Sequence, residues 1–205
     1  MSLESDPHAG RGQRRRLIDD PRSIRALADP LRLQLRSIIG RSGRITAADA
    51  ARELGISHGL ASHHLRQLAK YGFVEQVEGA DSRERPWQLV ATSYSFDGVE
   101  DNPGGAAAVA VYERVAGERA LEDLSDWHER RAEWGPGWRE HAGLGHSAIY
   151  LTEEELTDLV GRIDGLIAGY TEQRPIDDLA ARPPGSVPVD FTLFVVPHEP
   201  NPPGK

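Results

Sequence analysis

Between residues 57 and 71, the side chains able to exchange hydrogen bonds or carry positive charge fall on one side of a helix. At 100° per residue Gly59, His63, Arg66 and Lys70 share a face. Ser62 and Gln67 flank that face, and His58 follows Ser57 in the first turn. Ala61, Leu65 and Leu68 point the opposite way. Ser and His side chains can bond the edges of bases, Arg matches guanine or phosphate, and Gly59 lets a backbone approach closely. Ser62, His63 and Arg66 are read as contacts to DNA. His58 has two readings, a DNA contact or a residue spent on capping and solvent. His64 lies beside the apolar stripe and reads as a packed structural histidine.

Such a helix needs a scaffold, and the flanking sequence spells one. Asp29-Pro30 starts a helix, Leu31, Leu35, Ile38 and Ile39 give it one apolar face, and Gly40 and Gly43 mark its end. An earlier short helix is expected over 21–28. Thr46 caps the next helix, whose Ala47, Ala48, Ala50 and Ala51 let a neighbour pack close. Gly55 stops it, and Ser57 caps the helix over 58–71, which Gly72 ends. Two helices joined by about three residues form a helix-turn-helix. FVEQVEG (73–79) and PWQLVAT (86–92) alternate as strands around the loop GADSRER, forming a hairpin, or wing. Arg83 and Arg85 belong to this wing. They read either as phosphate or minor-groove contacts or as a solvated tip. Trp87 reads as wing core.

The stretches ALADPLRLQLRSIIG and ITAADAARELGISHGLASHHLRQLAKYGFVE, with the wing ending RERPWQL, resemble the ArsR-like winged-helix regulators over about residues 18–95. The string S-x-x-x-A-S-x-H-L-R-Q-L-x-x-x-G-F-V-E carries most of that resemblance. It implies a homodimer on a palindromic operator of double-stranded DNA. It also implies the helix 58–71 in the major groove and repression relieved by a signal. The DNA-binding residues expected are therefore Ser57, His58, Gly59, Ser62, His63, Arg66, Gln67, Lys70, Arg83 and Arg85.

Past residue 96 the pattern changes. One helix is expected from about Ala106 to Trp134, with Val109, Tyr112, Ala116, Ala120, Leu124, Trp127, Arg131 and Trp134 stepping by three and four. At 1.5 Å per residue it would reach about 43 Å, longer than a compact monomer covers, so a partner helix from a second subunit is expected. After the break at Gly135-Pro136-Gly137, SAIYL (147–151) and VPVDFTLFVV (187–196) read as strands. Between them lies a helix capped by Thr152 and Glu155 and striped by Leu156, Leu159, Val160, Ile163, Leu166, Ile167 and Tyr170. This strand-helix-strand module resembles the C-terminal part of actinobacterial-type helix-turn-helix proteins. That resemblance implies no activity, and the module is expected to brace the dimer.

The back half shows no enzyme signature. It lacks a Ser/His/Asp spacing and a glycine-rich phosphate loop, and Glu153, Glu154 and Glu155 read as a helix start. Asp126, His128 and His141 do not make a metal set, because glycines and a proline interrupt the spacing, and the absence of cysteine removes every thiolate site. No metal or other cofactor is expected. Trp127, Trp134 and Trp138 read either as the wall of a pocket for an unidentified small-molecule effector or as a packed patch.

The chain has 205 residues and a net charge of −8, which globally disfavours a polyanion partner. Residues 1–90 hold 15 Lys/Arg and 11 Asp/Glu, whereas residues 91–205 hold 9 and 21, so the front half is +4 and the back half −12. The expected fold is mainly α with some β. Its parts are a flexible arm (1–17), a winged helix-turn-helix domain (18–96), a dimerisation and regulatory region (97–196) and a flexible tail (197–205). With no signal sequence and no membrane span, a cytoplasmic, non-enzymatic regulator is expected. The alternative is a winged helix that binds protein and has lost DNA.

Overall fold

The computed structural model describes residues 15–77, 85–176 and 178–198. In chain order its elements are β1 (Arg15–Leu17), α1 (Pro21–Leu27), α2 (Pro30–Ser42), α3 (Ala47–Leu54), α4 (His58–Lys70), β2 (Val74–Gln76), β3 (Trp87–Leu89), β4 (Ser93–Ser95), α5 (Gly105–Arg130), α6 (Pro136–His141) and α7 (Glu153–Gln173), with short 3-10 turns between some of them.

Short polar residues start the front helices by accepting amides that have no partner inside the helix. The Asp20 carboxylate accepts from Arg22 and Ser23, Asp29 from Arg32, Thr46 from Asp49 and Ser57 from Leu60. Pro21 and Pro30 fill the first helical positions, where a missing N–H costs nothing. Gly55 ends α3 in the left-handed region at φ 65°, turning the chain directly into α4.

These helices close over one core. Ile24, Leu27, Leu35, Ile38, Ile39, Leu65, Leu68 and Phe73 are almost wholly removed from solvent. Each such side chain contributes roughly 1.5–3 kcal/mol by leaving water. Ala47, Ala50 and Ala51 are the buried residues of α3, small enough for α4 to lie close against it. β2 and β3 pair antiparallel with Glu75 opposite Gln88, and Ile45 adds a bridge to Trp87. The core does not stop at residue 97: Val99, Ala108 and Val109 join it, so the first half of α5 packs on α1 and α2.

Three expectations need correction. Arg15–Leu17, expected to lie in a flexible arm, form β1, which pairs in parallel with β4. Local pattern could not reveal this pair, since Arg15 and its partner Ser93 lie far apart in the chain. The long helix ends at Arg130 and tightens into a 3-10 turn over 131–133, ahead of Gly135-Pro136. The segments 147–151 and 187–196 flank α7 as expected, but neither forms a strand. Among the described residues, 143–151 and 187–198 make no backbone-to-backbone hydrogen bond. A strand pattern becomes a strand only when another edge is beside it.

Candidate nucleic-acid interface

The core stripe of α4 fixes which way its polar face points. Ala61, Leu65 and Leu68 are fully buried against α2 and α3, so Gly59, His63, Arg66 and Lys70 emerge on the opposite side as exposed residues. Ser62 and Gln67 sit half-buried on the two flanks. Ser57 is the helix cap. Its hydroxyl oxygen accepts the Leu60 amide at 3.2 Å, which leaves the hydroxyl hydrogen for an outside acceptor. A Cβ at Gly59 would meet nothing within 4 Å, so that end of the helix is open.

Local hydrogen bonds hold the polar face in position. The Arg66 Nε donates to the Ser62 carbonyl at 3.0 Å, and the residue is exposed. His58 Nε2 and the Ser62 hydroxyl lie 3.5 Å apart, the outer limit of a hydrogen bond. The Lys70 ammonium lies 5.5 Å from the centre of the Tyr71 ring. His64 is half-buried, with Nδ1 3.6 Å from the Asp29 carboxylate. That separation is too long for a hydrogen bond, and Nδ1 has no other partner. Burial pushes the His64 pKa down, partly offset by Asp29.

The wing brings one of its two arginines to the same domain. Arg85 is exposed, two residues before the start of β3. Arg83 lies outside the described residues. The Gln88 side-chain amide donates to Glu75 across the ladder at 2.8 Å, tying β3 to β2.

Two residues carry more than the sequence disclosed. Arg16, expected in the flexible arm, instead reaches the end of α4. Its guanidinium donates to the carbonyls of Tyr71 (3.1 Å) and Gly72, and it lies 5.7 Å from the centre of the Phe73 ring. A cation on the last carbonyls of a helix is favoured by the helix dipole, so Arg16 anchors the end of α4. Leu60 is the second. It lies outside the 61/65/68 stripe and is 41 % exposed, an apolar group on the edge of an otherwise polar face. Its position off the stripe was the available signal.

In the back half, Trp127, Trp134 and Trp138 follow one another with ring centres 5.6 Å apart. Beside them, the end of α5 and the loop after α6 enclose an open cleft of about 350 Å³, lined in part by His128, Arg131, Glu140 and His141. The structure thus brings His128 and His141 to one cleft despite the break between them. Among the described residues there is no group of three or more His, Asp or Glu able to hold a metal ion.

Residues 27–77, about a quarter of the chain, match a family described as a helix-turn-helix domain. No curated protein matches the chain. The chain carries a helix-turn-helix domain of the kind found in DNA-binding regulators, and no described helix is long and apolar enough to cross a membrane.

Proposed function

We propose that this protein is a sequence-specific transcriptional regulator, a repressor that binds a palindromic operator as a homodimer with α4 in the major groove. The observation that carries this reading is the division of α4 into a fully buried face of Ala61, Leu65 and Leu68 and an exposed face of Gly59, His63, Arg66 and Lys70. A buried back lets the helix be presented as a rigid rod, and the exposed front supplies donors at groove spacing. Arg66, exposed on that face, reads a guanine, and His63 and Ser62 read adjacent base edges. Ser57, His58, Gln67 and Lys70 hold the flanking backbone, as does Arg85 with Arg83 from the wing. Leu60 suits the methyl group of a thymine at the edge of the site.

The homodimer reading is supported by α5. Its 26 residues reach about 39 Å, and its buried residues, Gly105, Ala108, Val109 and Val115, all lie in its first half. A two-fold pair presents two copies of α4, so the site they read is a palindrome.

Selection of sheared genomic fragments by the full chain across a salt series tests the reading. It predicts a recurring palindrome, with affinity falling as salt rises. A folded dimer that enriches no sequence at any salt would leave the winged helix as a protein-contact module.

A further inference from the structure

Beyond Val115 no described residue is buried. Of the large apolar side chains that stand exposed, all but Leu17 and Leu60 lie at or after Val111. They include Tyr150 at 104 %, Leu166 at 71 % and Phe191 at 69 %. These three belong to different parts of the C-terminal region: the segment before α7, α7 itself and the segment after it.

The excess can be put as an area. The chain exposes 14,985 Å². A compact chain of its mass, 22.5 kDa, exposes about 9,500 Å². Even if the 29 residues outside the described ranges were as exposed as unfolded chain, the described residues would still carry about 2,000 Å² of excess. Obligate homodimers bury roughly 2,000–5,000 Å² in total, or about 1,000–2,500 Å² from each copy. The uncovered area is of that size.

The backbone points the same way. Segments 147–151 and 187–196 have strand patterns and no backbone partner among the described residues. Unpaired, apolar, strand-forming edges are templates for another chain. The second of these segments is already docked on the dimer helix: Phe194 lies at the flank of α5, 3.4 Å from where a Cβ on Gly117 would stand, and Asp190 lies 3.9 Å from Arg41. The apolar surface is therefore continuous with α5.

We infer that the C-terminal region, 144–196, is completed by a second copy of this chain, with the α7 stripe and both strand-patterned segments forming the larger part of the dimer interface. This rests on the homodimer reading above and assigns its main contact to the C-terminal region rather than to α5 alone. A second copy is the occupant because every copy needs this surface covered in order to fold, and only the chain itself is always present in equal amount. The back half's charge of −12 disfavours nucleic acid or an anionic membrane as the cover.

The chain has no cysteine, so single thiols can be introduced on a silent background. Y150C, L166C and F191C would each be labelled with a thiol reagent alongside S42C, an exposed control at the end of α2. At concentrations where sedimentation shows a dimer, the three sites are expected to react at least tenfold more slowly than the control, and to approach its rate on dilution into monomer. A second variant, Y150E/F191E, is expected to sediment as a monomer while keeping the helical signal of the front domain. A dimer whose three sites all react at the control rate would overturn this inference and leave the regulator reading standing. A chain that is monomeric at every concentration would overturn both. A protected dimer that selects no DNA sequence would support the interface and overturn the regulator reading.

Discussion

Replacing Arg66 by alanine separates reading a base from attracting a phosphate. Arg66 is exposed, and its only internal bond among the described residues is from Nε to the Ser62 carbonyl, so its removal leaves the core of α4 untouched. The stability change is expected to stay within about 0.5 kcal/mol, the usual range for a surface site. Binding should behave differently. A bidentate arginine-guanine pair contributes about 1–3 kcal/mol, and a two-fold dimer loses it twice, so affinity should fall by roughly 30-fold to more than 10,000-fold. The loss should be confined to the operator, with binding to random DNA changing far less. R66K is the sharper variant. Lysine keeps the charge but not the planar fork, so it should rescue almost none of the operator affinity if Arg66 reads a guanine. The assay is a fluorescence titration of the selected palindrome and a scrambled duplex at one salt concentration. Equal affinity of wild type and R66A for the palindrome would refute the assignment of α4 as the reading helix. Full rescue by lysine would reduce Arg66 to a phosphate contact.

The remaining predictions address charge, anchoring, pH and close packing. K70A should weaken palindrome and scrambled duplex alike. Its salt dependence should flatten by about 1.8 in the log-log slope, because each copy neutralises one phosphate fewer, as read from titrations at several salt concentrations. R16A should lower the stability of the front domain by about 1.5–3 kcal/mol in urea unfolding, because the Tyr71 and Gly72 carbonyls lose a charged donor. Burial lowers the pKa of His64 below 6.5, so the unfolded chain takes up the proton first. The contribution of His64 is therefore complete above pH 6.5 and is lost as pH falls through its folded-state pKa. H64Q should flatten the stability profile in that window, as followed by melting temperature against pH. G105A should destabilise the junction into α5 by more than about 1 kcal/mol, since its Cβ would stand 1.7 Å from the Val99 carbonyl oxygen, and calorimetry would show this as a lower melting temperature.

Most of the front domain was legible because its signals are local. Asp20, Asp29, Thr46 and Ser57 are caps whose acceptor atom and target amide lie within three residues of one another, and the 61/65/68 stripe repeats at the helical period. Arg16 was illegible for the opposite reason. Its partners are 55 and 56 residues away, and nothing in an arginine-rich run tells which member folds inward. The same holds for the pairing of β1 with β4, whose partners lie 78 residues apart, Arg15 with Ser93. His128 and His141 come to one cleft because a break in a helix turns the chain back on itself, whereas a linear reading treats the break as a separator.

The C-terminal region shows the other way a pattern can run ahead of a single chain. Its apolar runs over 147–151 and 187–196 read as strands, and its stripe along α7 repeats at the helical period as the α4 stripe does. The capping box of Thr152 and Glu155 forms as expected, with both reciprocal bonds made. Local rules therefore succeed there, and what is missing is only an opposing surface. In the front domain the stripe of α4 meets α2 and α3 within the same chain and is fully buried. No residue of the α7 stripe is fully buried, and Leu166 and Tyr170 stand exposed, although the stripe is longer and richer in leucine and isoleucine. Sequence periodicity specifies that a face must be covered; it does not specify by which copy. On the proposed reading, two faces of similar pattern with unequal burial in one chain bear on assembly, and the uncovered one is the face that the dimer carrying two copies of α4 to DNA would bury.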